Sequence, residues 1–416
     1  MLVQTLQQVE AGELEGHGAL SRSDESSACG QSREKEFEVH GEKDCERREK
    51  RREEKEVSVM AETFGLVKKI ERLAEGKKNL RFMEVCGTHT VSIFRSGLRQ
   101  ILPANVELVS GPGCPVCVTT EDFIDKAIEY ARRGFVVATF GDMLKVPGTR
   151  SSLSGVQAEG ADVRIVYSPL DCLKLAQENP QKKIVFLAVG FETTAPTQAA
   201  TILAARARGI KNFFMLSAQK LVPPALRFLL SDAAVKVDGF LLPGHVAVVV
   251  GAEAFNFLVE DFKIPSAIGG FEAEEILTAI VSLLEQVDGG KIEVANDYRV
   301  VVKSEGNVAA KKILAEVYEV VDAEWRGIGK ISSSGLRMRE EFAAFDIERV
   351  EPIELVRVEK KSACRCGEVL RGVINPTACP LFGKKCQPLH AVGPCMVSVE
   401  GVCAAWFKYG GKNFKF

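Results

Sequence analysis

The stretch KIVFLAVGFETTAPT, residues 183–197, joins a continuous apolar run to a glycine, an acid and a helix start. Lys183–Val189 does not alternate polar with apolar residues, which suits a strand buried on both faces of a parallel sheet. Gly190-Phe191-Glu192-Thr193-Thr194 then turns the chain, and a capping threonine followed by Pro196 opens a helix that runs toward Arg208. Working outward, the same kind of run recurs at Arg81–Val85, Val106–Val109, Phe135–Phe140, Val163–Tyr167, Asn212–Leu216 and Gly239–Leu242. Helix-length segments such as Thr120–Arg133 lie between most of them. Alternating strands and helices build parallel sheets covered by helices. These runs exceed one mononucleotide-binding half, so the class expected is α/β, with two parallel-sheet domains facing a cleft. The expected division is 60–161, then 162–295, with the boundary near Asp162, then a cysteine-rich C-terminal domain over 296–416.

The first 59 residues read differently. Glu46–Glu56, ERREKRREEKE, contains no uncharged residue, and a mixed-sign block of this kind cannot bury apolar surface. Residues 1–59 are expected to be a disordered charged extension, with Cys29 and Cys45 carrying no function. Met60 begins an amphipathic helix pattern that ends at Gly76, and the folded unit is expected to start there. Over the whole chain 54 Lys and Arg face 56 Asp and Glu, so no global charge draws the protein to nucleic acid or an anionic membrane. No apolar run approaches the roughly 18 to 20 residues that span a bilayer. The opening MLVQTLQQVE lacks the basic start and apolar core of a secretory signal, so a cytoplasmic protein is expected.

Unusual residues gather where the strand runs end, which is where open α/β sheets bind ligands. Arg81–Val85 leads into Cys86-Gly87-Thr88-His89-Thr90, and Val106–Val109 into Ser110-Gly111-Pro112-Gly113-Cys114-Pro115-Val116-Cys117. Phe135–Phe140 leads into Gly141-Asp142, Lys183–Val189 into Gly190-Phe191-Glu192, and Gly239–Leu242 into Pro243-Gly244-His245. A thiol at Cys86, on a strand-to-helix turn, is expected to have its pKa lowered by the helix N-terminus and to serve as metal ligand or nucleophile. His89 could add a nitrogen ligand or steer protons. The plainer alternative is a buried structural cysteine beside a capping threonine. Cys114 and Cys117 form a CxxC ahead of the helix-start signal Thr119-Thr120-Glu121, and a reversible redox pair is expected there. No second CxxC supplies the other half of a zinc ribbon. Asp142, Glu192 and His245 would line the cleft, or be ordinary polar residues satisfied at turns. No P-loop, GxGxxG or GxSxG is present, and the glycine- and serine-rich Gly327–Gly335 reads as a loop.

Six of the twelve cysteines lie from Cys364 onward. Cys366, Cys379, Cys386 and Cys403 are separated by 12, 6 and 16 residues, with glycines and prolines interleaved. Four thiolates suit zinc or an iron–sulfur cubane, and zinc usually takes closer ligand pairs. Cys364 and Cys395 are spare and could substitute within this set. Trp406, Phe407 and Tyr409 could screen such a centre from water.

With these motifs in place, residues 84–409 resemble the HypD family of hydrogenase maturation proteins. The resemblance rests on EVCGTHT (84–90), GPGCPVC (111–117), TFGDMLKVPG (139–148), GFETTAPT (190–197), PGHV (243–246), EWRGIG (324–329), CGEVLRG (366–372), CPLFGKKC (379–386) and GPCMVSVEGVCAAW (393–406). It implies two α/β domains around a cleft and a C-terminal domain holding a [4Fe-4S] cluster on Cys366, Cys379, Cys386 and Cys403. It implies iron held at Cys86 with His89 beside it, a redox-active Cys114/Cys117 pair, and a role in assembling the Fe(CN)₂CO centre of [NiFe] hydrogenases. The partners implied are the chaperone HypC and the cyanide donor HypE. Electrons would pass from the cluster to the CxxC and on to the iron at Cys86, which requires the C-terminal domain to pack against the Cys114 loop. Two competing readings are a stand-alone iron–sulfur disulfide reductase and a zinc-stapled α/β binding protein.

Overall fold

A computed structural model describes residues 60–355 and 362–410. The charged extension, with Cys29 and Cys45, lies outside the described residues.

The first sheet is all parallel and has five strands in the order β2-β1-β7-β8-β9. They are β1 (Leu80–Glu84), β2 (Val106–Ser110), β7 (Gly239–Pro243), β8 (Ser266–Gly269) and β9 (Val294–Asn296). The second sheet is also parallel, in the order β4-β3-β5-β6. Its strands are β3 (Val136–Thr139), β4 (Val163–Ile165), β5 (Ile184–Gly190) and β6 (Phe213–Gln219). Every residue of β5 is buried, as its unbroken apolar run requires. An antiparallel hairpin of β10 (Tyr318–Trp325) and β11 (Gly329–Met338) follows.

Three differences from the sequence reading have physical causes. The strands do not divide at Asp162, which lies between β3 and β4, two neighbours paired Val137 to Val163. All four strands of the second sheet fall between β2 and β7 of the first, a partition set by long-range pairing rather than by any local pattern. Gly327–Gly335, expected as a loop, supplies the start of β11, because the pairing offered by β10 outweighs weak strand propensity. Thr194 does stand at the N-cap of the Ala195–Ala207 helix, yet its hydroxyl donates to the Phe191 carbonyl instead of accepting from the helix. Thr120 does accept, from Phe123 N–H, and so caps the Glu121–Arg132 helix that follows the CxxC.

Candidate functional site

In each sheet the strand order reverses at one place, between β1 and β7 in the first and between β3 and β5 in the second. Such switch points open a crevice outside the carboxyl ends of the strands. Cys86 and His245 follow β1 and β7, while Asp142 and Glu192 follow β3 and β5. Four of the expected residues therefore flank the two switch points.

Cys86 is the N-cap of the Gly87–Arg95 helix, and the backbone N–H groups of His89 and Thr88 face its sulfur. The expected lowering of its pKa does not occur. Burial pushes the thiol up to about 11, and the Glu400 carboxylate adds to this, outweighing the helix N–H groups. Glu400 is a residue that the sequence reading missed. Thr88 Oγ1 donates to its carboxylate at 3.2 Å, and Ser398 Oγ donates to Asp142 at 3.4 Å. The tail segment 398–400 thus spans the gap between the ends of the two sheets. Beneath Cys86 the buried Glu84 accepts from Thr90 Oγ1 at 2.6 Å, and burial raises its carboxyl to about 7.

His89 is fully buried, and its Nε2 donates to the Gly270 carbonyl at 2.7 Å. That bond leaves Nδ1 as an unprotonated acceptor with no protein partner, while burial lowers the ring's pKa to about 4. Phe271 lies between the two expected histidines, with ring centres 4.6 Å from His89 and 3.9 Å from the exposed His245.

The CxxC loop lies against the Cys86 turn. Gly87 N–H donates to the Gly113 carbonyl at 3.1 Å, and a side chain at Gly113 would come within 2.5 Å of Cys86 Cα. Cys114 and Cys117 have their sulfurs 2.7 Å apart and are free thiols, with exposures of 1% and 0%. The expected lowering by the helix start fails here too: burial and the neighbouring thiols of Cys114 and Cys395 push Cys117 well up. The Pro115–Val118 helix packs on the turn Pro394–Met396, which carries Cys395.

Cys364, Cys366, Cys379, Cys386, Cys395 and Cys403 ring one small chamber, with Val369, Phe382 and Met396 on its walls. Among the described residues no group of three or more His, Cys, Asp or Glu side chains closes on a single ion position. An all-thiol donor set on apolar walls is chemically suited to a thiolate-held metal centre, whether zinc or a sulfide-bridged cluster. Burial pushes the Cys403 thiol well above its ordinary value, and the neighbouring Cys395, Cys364, Cys386 and Cys379 add to this. Phe382 and Phe407 pack edge to face at 6.3 Å beside Cys379 and Cys386.

Glu192 stands apart from these groups. It is buried, its Oε1 accepts from Val222 N–H at 2.8 Å, and its Oε2 has no protein partner. Burial raises its carboxyl from 4.5 to about 7. A raised carboxyl contributes stability that is complete below about pH 4.5 and is lost as pH rises through about 7. Glu192→Gln keeps the acceptor for Val222 and removes the charge. Denaturant titrations at pH 5 and pH 8 are expected to favour the variant at the higher pH by roughly 1–3 kcal/mol relative to the lower. Equal differences at the two values would place the ionised carboxylate in water.

A family model described as "HypD: Hydrogenase formation hypA family" matches residues 62–410. The chain belongs to the HypD family. The hydrogenase maturation factor HypD of Escherichia coli (strain K12) is 47% identical over 335 residues, covering 80% of this chain and 90% of that protein. HypD of Azotobacter vinelandii is 44% identical over 353 residues, covering 83% and 93%, and that of Rhodobacter capsulatus 42% over 358, covering 83% and 95%. This HypD-family chain is a hydrogenase maturation factor, a role that entails working with other maturation proteins. No helix among the described residues is long and apolar enough to cross a membrane.

Proposed function

We propose that this chain is a scaffold on which the Fe(CN)₂CO centre of [NiFe] hydrogenase is assembled, with the iron held as cargo at Cys86. The observation that carries the reading is the convergence of three sulfur groups: the Cys86 turn touches the CxxC loop, and Cys117 faces Cys395 at the wall of the cysteine chamber. Low-spin iron bearing cyanide and CO is a soft centre, and a thiolate suits it. Asp142 and His245 border the same crevice and offer proton or partner contacts.

The chamber thiols Cys366, Cys379, Cys386 and Cys403 would hold a [4Fe-4S] cluster, with Cys364 and Cys395 beside them. When bound, the cluster would supply single electrons to its surroundings. The Cys114/Cys117 dithiol handles pairs. With a protein thiocyanate presented by a HypE-type donor, the dithiol gives two electrons to the S–CN unit. The carbon–sulfur bond breaks to leave a thiolate and cyanide, the new Cys114–Cys117 disulfide forms, and two protons are released. Cyanide then appears beside the iron at Cys86, which a HypC-type chaperone would carry away. The ten described cysteines are all free, which suits the reducing cytoplasm.

The stand-alone disulfide reductase gains no support from the geometry, because it gives no part to Cys86, whose turn is held against the CxxC loop. Anaerobic co-purification with HypC- and HypE-type partners, followed by metal and sulfide analysis and infrared spectroscopy, tests the proposal. Iron with acid-labile sulfide and bound cyanide and CO stretches are expected, and Cys395→Ser is expected to retain the sulfide while losing the cyanide bands. Zinc without sulfide would end the cluster assignment.

A further inference from the structure

The turn between β10 and β11, Arg326-Gly327-Ile328, touches both halves of the proposed relay. On one side Arg326 grips the CxxC segment. Its backbone N–H donates to the Val118 carbonyl at 2.8 Å. Its Nη2 pairs with Glu121 at 2.6 Å, at the start of the next helix, and its Nη1 donates to the Pro147 carbonyl at 3.2 Å. The guanidinium is nearly buried, so its two contacts are held in one geometry. On the other side Gly327 is pressed on the cysteine chamber. A side chain there would lie 2.9 Å from Gly367 Cα and 3.5 Å from Cys366 Sγ, and its φ of +75° is itself a conformation that favours glycine. The arm behind the turn is rigid: Trp325 is buried, donates from Nε1 to Ser334 Oγ at 2.8 Å and stacks on Phe191.

We propose that Arg326 and Gly327 are positioning residues, a brace that fixes the Cys117 thiol against Cys395 by tying the CxxC segment to the cysteine chamber. Neither touches the reacting sulfurs of the CxxC. The purpose of the brace rests on the relay reading above, while its existence is measurable without it.

The test uses the full chain, purified anaerobically, carrying Cys114→Ser so that Cys117 is left with Cys395. Diamide takes two electrons and two protons from the pair as the disulfide forms, and peptide mass spectrometry follows its rate. Arg326→Gln and Gly327→Ala are each expected to slow the Cys117–Cys395 cross-link about tenfold or more, because small displacements of reacting groups are costly. Arg326→Lys is expected to fall between. The alkylation rate of Cys86 serves as the control and is expected to stay unchanged, whereas general loosening of the fold would raise it. An unchanged cross-linking rate in Arg326→Gln, or no cross-link in the parent, would overturn the brace. Arg326→Gln decides the matter alone where Gly327→Ala does not fold. A slowed cross-link together with full maturation by Cys395→Ser would keep the brace and discard the relay.

Discussion

Cys86→Ala is expected to reduce hydrogenase maturation to the level of cells lacking the chain, and to remove every cyanide and CO stretch from the purified protein. The argument is one of position. Cys86 lies at the switch point of the first sheet, backed by N–H groups of the Gly87–Arg95 helix and bordered by Glu400, and no other described cysteine stands on that turn. Its high thiol pKa means that the bare site keeps a proton and that a soft cation must displace it. The CxxC thiols and the chamber cysteines contact other elements, so acid-labile sulfide and the Cys117–Cys395 cross-link are expected to survive. Retention of cyanide-bearing iron by the alanine variant would remove Cys86 from the proposal.

Gly113→Ala is expected to be nearly as damaging, although it removes no functional group. The added methyl would run into the backbone N and Cα of Cys86, and backbone on both sides leaves no flexible side chain to move aside. The loops after β1 and β2 would have to separate, breaking the Gly87 to Gly113 hydrogen bond. Overpacking of this kind costs roughly 1–3 kcal/mol. A lower melting temperature is expected together with lost maturation, while acid-labile sulfide persists. A variant with wild-type melting and full maturation would show that the two loops need not touch.

Seven strands were legible because short β-rich runs stand between helix-length segments, most of them with a glycine just beyond the end. β8 and β9, with sequences SAIG and VAN, were not, since so few residues carry no pattern and only neighbours already in a sheet hold them. β10 alternates charged and apolar residues without a wide apolar face, so its pairing with β11 emerges only from the fold. The residues at the strand ends were legible for the same reason that the strands were. Glu400 was not read as a site residue, and Cys395 only as a spare member of the tail set, because their neighbours in sequence say nothing of Cys86 or Cys117. The expected thiolate character of Cys86 and Cys117 failed on burial, a quantity that helix-terminus reasoning leaves out.

The placement of one sheet's strands wholly between β2 and β7 of the other also orders events during synthesis. β1 and β2 leave the ribosome early, yet their sheet lacks its third partner until Gly239–Pro243 has been made. The intervening four strands can close first, since all their pairings are complete by Gln219. In a growing polypeptide, then, the thiols after β1 and β2 wait unprotected through more than a hundred further additions. An oxidant present in that interval reaches sulfurs that the finished protein conceals.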